Sequence, residues 1–81
     1  MFDRHILKFD IYYYNIETQT ITALLHFARK HNIIIHRIKK TGTIVYSYKV
    51  IVHNCPKGKF LKFVEDFLNY TESNINHPSF K

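Results

Sequence analysis

Few side chains in this sequence offer covalent or metal chemistry, and those few are scattered. Asp10 lies in an alternating segment, Cys55 is the single cysteine, and the six histidines include His26 and His31 five positions apart. With no Cys-x-x-Cys or His-x-x-x-His pair, no metal site is predicted and the histidines read as surface residues. Cys55 precedes a helix start, where a thiol is easily ionised, but no partner base can be identified. It reads as a lone buried thiol, so no catalytic residue, metal or cofactor is expected. The cations are different. Arg29, Lys30, Arg37, Lys39, Lys40, Lys49, Lys57, Lys59 and Lys62 all fall between Thr18 and Val64, whereas Asp3, Asp10, Glu17, Glu65, Asp66 and Glu72 all lie outside that block. A surface built from it would lack internal counter-charge, and its natural complement is a polyanion such as nucleic acid. A net charge of +6 alone would serve solubility. Solubility gives no reason to exclude acids from so long a stretch.

Length and composition set the scale of the fold that must position these charges. An 81-residue chain has room for one domain, read as residues 1–70 with a polar C-terminal tail over 71–81. Hydrophobic residues at 46%, aromatics at 16%, two glycines and two prolines argue for a dense core and against disorder. One cysteine cannot form an internal disulfide, which points to a reducing cytoplasm. No apolar leader or membrane-length run is present, so a soluble cytoplasmic protein without membrane contact is expected.

From Leu7 to Asn15 apolar and polar residues alternate, predicting a half-buried strand with Leu7, Phe9, Ile11 and Tyr13 inward and Lys8, Asp10, Tyr12 and Tyr14 outward. Ile21, Leu24, Leu25 and Ala28 recur at helical spacing behind Thr18 or Thr20 as N-cap, and the pattern stops at His31-Asn32. Ile33, Ile34 and Ile35 open a second strand through Ile38, and Lys40-Thr41-Gly42-Thr43 supplies a turn whose glycine takes positive φ. A third strand follows from Ile44, with Tyr46, Tyr48, Val50 and Val52 on one face and Val45, Ser47, Lys49, Ile51 and His53 on the other. Pro56 suits the first turn of a second helix, whose stripe of Phe60, Phe63, Val64 and Phe67 runs to about Tyr70.

Strand, helix, strand, strand, helix is most of the split β-α-β plan, so the class is α+β with two helices on one face of an antiparallel sheet. Over Leu7 to Tyr70 the chain resembles small ferredoxin-like domains of the ACT and RNA-recognition type. Thr20 to Ile35 reads like the first helix and second strand of an ACT domain, and Thr41 to Tyr46 partly echoes the RNA-recognition motif. The resemblance implies a central first strand flanked by the third and by a fourth strand that is weak or missing here. An edge at Leu7 to Asn15 would then invite pairing with a second copy or a host protein.

This plan brings Arg29, Lys30 and His31 near Lys57 and Lys59 at the start of the second helix, where backbone N–H groups favour phosphate. Asn54 to Lys59 lacks Walker-loop spacing. Arg37, Lys39, Lys40 and Lys49 extend a basic track along the sheet, and Lys8, Tyr12, Tyr14 and Ser47 would share its open face, tyrosines beside lysines suiting stacked bases. Single-stranded RNA with weak sequence specificity is the expected ligand, and an inhibitor acting through the strand edge is the alternative.

Two narrower resemblances add expectations. Lys8-Phe9-Asp10-Ile11 is similar to the first-strand segment of CRISPR-associated (Cas2-type) and related toxin ribonucleases, which implies metal-dependent cleavage through Asp10 paired across a dimer. The preference for Ile, Tyr, Phe, Asn and Lys, with small size and basicity, resembles T-even phage early proteins. These include RNA-binding antagonists of host ribonuclease toxins, implying an anti-defence role in host cytoplasm.

Overall fold

Alternation decides the strands. In the computed structural model, which describes residues 3–11 and 16–71, β1 (Asp3–Ile11) buries Leu7, Phe9 and Ile11 on one side and turns Lys8 outward. Then come α1 (Glu17–Lys30), β2 (Ile35–Thr41), β3 (Tyr46–Cys55) and α2 (Lys57–Tyr70). The sheet order is β1-β3-β2 with both pairings antiparallel. The fold is thus α+β, and its β-α-β-β-α order is compatible with a ferredoxin-like domain. No fourth strand is present among the described residues. Tyr12, Tyr13, Tyr14 and residues 72–81 of the expected tail lie outside the described residues.

The helices cover the Phe9 and Val50 side of the sheet. Leu24, Ala28, Phe60, Phe63 and Phe67 meet Leu7, Phe9, Ile11, Tyr48, Val50 and Val52 in one cluster. Aromatic rings form its centre: Phe9 stacks on Tyr48 and meets Phe67 at a tilt, both with centroids 5.3 Å apart. Thr71 is fully buried and its hydroxyl donates to Leu68 O at 2.9 Å, so it closes α2 and does not belong to a tail.

Element boundaries differ from the sequence expectation for local reasons. Neither Thr18 nor Thr20 caps α1, which follows Ile16; Thr20 is fully buried and its hydroxyl donates back to Ile16 O at 2.8 Å. The stripe of α1 is centred on Ala23, Leu24 and Ala28, leaving Leu25 46% exposed. At the other end Asn32 takes φ 55°, the Ile33 N–H reaches Ala28 O and the Asn32 N–H reaches Arg29 O. These bonds are a Schellman stop, whose apolar residue after the left-handed position packs back on the helix. Ile33 is therefore spent on terminating α1, and β2 begins at Ile35 with Ile34 83% exposed.

The β2–β3 connection lies further along the chain than expected: β2 runs on to Thr41 and β3 starts at Tyr46, leaving Ile44 exposed. Gly42 has φ 100°, and a Cβ there would lie 2.0 Å from Val45 O. Both backbone strain and a clash with backbone atoms oppose any side chain. Gly42→Ala is expected to destabilise the fold by about 1–3 kcal/mol. Thermal unfolding followed by circular dichroism checks this, and an unchanged midpoint would contradict the turn geometry.

Candidate functional site

The face of the sheet opposite the helices is uncovered among the described residues, and ladder register places its side chains. Lys8 pairs with Lys49, and Lys49 pairs with Lys39. Adjacent strands lie about 4.8 Å apart, so three lysines form a row about 10 Å wide across the sheet. Like charges directly opposite each other on a sheet are destabilising, by up to about 1 kcal/mol per pair. An open groove of about 560 Å³ runs beside the row, lined also by Asp10, Thr41 and Ser47. Asp10 accepts a hydrogen bond from Ser47 Oγ at 2.8 Å.

Further along the same face, Ile6 pairs with Ile51 and Ile51 with Arg37. Ile51 is only 5% exposed although it lies outside the main core cluster, so this central row is locally apolar. Beyond it His36 and His53 stack, with centroids 4.0 Å apart. Arg4, two positions before Ile6 on β1, acts electrostatically on His53. Arg4, Lys8, Arg37, Lys39 and Lys49 form no ion pair with another described residue.

The remaining sequence-predicted cations are placed elsewhere. Lys40 projects to the helix side, where its Nζ is 2.6 Å from Glu17 Oε2 and 4.1 Å from the Tyr46 ring centroid. The Tyr48 hydroxyl donates to the same carboxylate oxygen. These bonds, Lys40's first, hold Glu17 below the usual carboxylate range, while burial and then the Glu17 bond push Tyr48 above the usual phenol range. Lys30 and His31 turn to Asp66 of α2, at 3.5 Å and 2.7 Å. Lys30 and His31 of the predicted site with Lys57 and Lys59 are thus paired with an acid from outside the carboxylate-free block, so that end of the surface is not purely cationic. Arg29 lines a groove with Leu25, Ala28 and Asn32 to Ile35. Lys59 lines another with His36 and His53. Lys57 and Lys62 are exposed on α2.

Asp66 carries a testable consequence. Its carboxyl is held below the ordinary value, first by the His31 hydrogen bond and then by Lys30. A depressed folded-state pKa contributes stability above the unfolded value that is lost as pH falls through the folded one. Asp66→Asn is therefore expected to lower the unfolding midpoint at neutral pH and to narrow its gap to the parent protein below about pH 4. Paired melts across pH check it; a gap that widens in acid would contradict the pairing.

The lysine row was only partly visible in sequence. Lys39 and Lys49 belong to the carboxylate-free block, and Lys8 was expected on the open face, but Arg4 carried no signal until the register was known. Cys55 is buried and its thiol donates to the carbonyl of Pro56 at 3.5 Å. His5 is half-buried: it stacks on Phe60 at 4.8 Å and donates to Cys55 O at 2.9 Å. Among the described residues no group of three or more His, Cys, Asp or Glu is placed to hold a metal ion. No helix among them is long and apolar enough to cross a membrane. Comparison with known proteins found no matching family model, no matching curated protein and no matching solved structure.

Proposed function

We propose that this chain is a small RNA-binding protein that lays single-stranded RNA across the open face of a ferredoxin-like sheet. The observation that carries the reading is the Lys8–Lys49–Lys39 row. Such a row costs folding stability and does nothing for the core, a local conflict expected where a surface serves a ligand. A phosphodiester backbone relieves the repulsion by supplying the missing negative charge. Among the described residues the face is three strands wide, which suits one nucleic-acid strand better than a duplex. Lysines and arginines reading phosphates give affinity without sequence information, so specificity is weak. Ile6, 39% exposed, offers the bases an apolar contact; the expected stacking residues Tyr12 and Tyr14 lie outside the described residues.

The chain acts by binding and not by cleavage in this reading. Asp10, the residue that a Cas2-like ribonuclease would use, shares its groove with three lysines that repel a divalent cation. In a phage-infected cell the outcome would be antagonism of a host ribonuclease toxin or defence system in the host cytoplasm. A second reading has its own observation: β1 forms one edge of the described sheet, an edge that a second copy or a host protein could extend by strand addition.

Fluorescence anisotropy with single-stranded RNA, duplex RNA and duplex DNA tests the first reading. Preference for single-stranded RNA supports it. Absence of binding to all three at low salt refutes it and leaves strand addition, to be sought by pull-down and by the protein's mass in solution.

A further inference from the structure

At the end of the open face away from the lysine row, β2 carries a bulge. Ile35 pairs with Val52 and Arg37 with Ile51, so His36 is an extra residue in the ladder. A bulge turns neighbouring side chains toward the same face. His36 thus joins Arg37 on the open side, its ring lying on that of His53 with planes 18° apart. Stacked rings keep their in-plane lone pairs in nearly parallel planes, a poor arrangement for sharing one metal ion.

The charged groups facing the pair, among the described side chains, are all cationic: Arg4 from β1 and Lys59 from α2. Lys59, Asn32 and Asn54 line a groove of about 300 Å³ with both imidazoles. Protonating either ring places a new positive charge against its stacked neighbour and Arg4. Partial desolvation, then His36, then Arg4 hold His53 below the ordinary imidazole value. An anion would offset that charge. His53 lies four residues along β3 from Lys49, about 13 Å, so one short oligonucleotide reaches both.

We propose that His36, His53 and Arg4 form a second phosphate subsite of the RNA-binding face, one that holds its phosphate most tightly when the imidazoles carry protons. The proposal rests on the RNA reading above. Linkage then requires RNA to draw protons onto the pair, and acid to strengthen RNA binding by the same coupling.

The test is anisotropy with one labelled single-stranded RNA at fixed ionic strength, from about pH 8 to about pH 6. The parent protein is expected to bind about tenfold tighter at the acid end. The His36→Gln/His53→Gln variant should keep its affinity at the basic end and lose most of the gain. His26→Gln, on exposed α1 surface, should keep the gain. Binding with equal acid response in parent and double variant overturns the subsite while leaving the lysine row standing. No binding at any pH overturns the RNA reading, and this proposal with it. Should the double variant fail to fold, NMR titration of the parent imidazoles decides: a His53 midpoint that rises when RNA is added supports the subsite, and an unmoved one overturns it.

Discussion

Reversing Lys39 and Lys49 to glutamate is expected to weaken single-stranded RNA binding by at least about a hundredfold, or about 2.8 kcal/mol. The same change should leave the fold as stable as before or more so. Lys49 stands directly between Lys8 and Lys39, so in the double variant a carboxylate there attracts Lys8 while repelling the carboxylate at position 39, and two repulsive cross-strand pairs become one attractive and one repulsive. Lost affinity with a raised melting midpoint is a combination that general destabilisation cannot produce. Lys40→Glu is the informative contrast. That side chain holds Glu17 at 2.6 Å on the helix side, so reversal there sets two carboxylates together. Its main effect should be on melting, with RNA affinity little changed. Anisotropy and thermal melts on the same preparations check both, and equal loss of RNA binding from the two sites would remove the distinction between the faces.

Truncating Phe63 is expected to have the largest effect on folding. Phe63 is fully buried in the layer between α2 and the sheet, and removing a buried phenyl ring typically costs about 3–5 kcal/mol. A chain this short has a total stability of about 4–12 kcal/mol, so Phe63→Ala should lower the melting midpoint by at least about 15 °C. Leu61, two positions away on the same helix and 51% exposed, supplies the control: Leu61→Ala should cost less than about 0.5 kcal/mol. Similar losses at the two positions would mean that α2 does not present the phenylalanine face to the sheet.

The elements were largely legible because their signals were local and agreed with one another. Alternation in Leu7 to Ile11 and the phenylalanine stripe of α2 each matched a single period, and Gly42 marked the turn. Boundaries failed where one residue served two purposes. Ile33 looks like a strand residue by type, but the left-handed Asn32 before it makes Ile33 the closing contact of α1. The candidate site was legible as a charge imbalance and not as a geometry. Composition along the chain ranked Lys30, Lys39, Lys40 and Lys49 alike. Register then put Lys39 and Lys49 on the open face, turned Lys40 to Glu17, and left Lys30 to Asp66. Acids far away in sequence return in three dimensions, and no linear count of charge anticipates that. Arg4 was missed because the alternation becomes readable only at Leu7 whereas β1 begins at Asp3, and the His36–His53 stack because a strand bulge, which adds one residue and changes facing, has no sequence signature here.

Whether the open sheet face binds RNA is tested by the salt dependence of single-stranded RNA affinity for nuclease-free protein. If Arg4, Lys8, Arg37, Lys39 and Lys49 each neutralise one phosphate, log affinity should fall against log salt with a slope of about −3.5, or about −0.7 per contact. The Lys39→Glu/Lys49→Glu variant should flatten that slope by at least about 1.4. No RNA binding at low salt, or a slope that the variant leaves unchanged, would contradict the account.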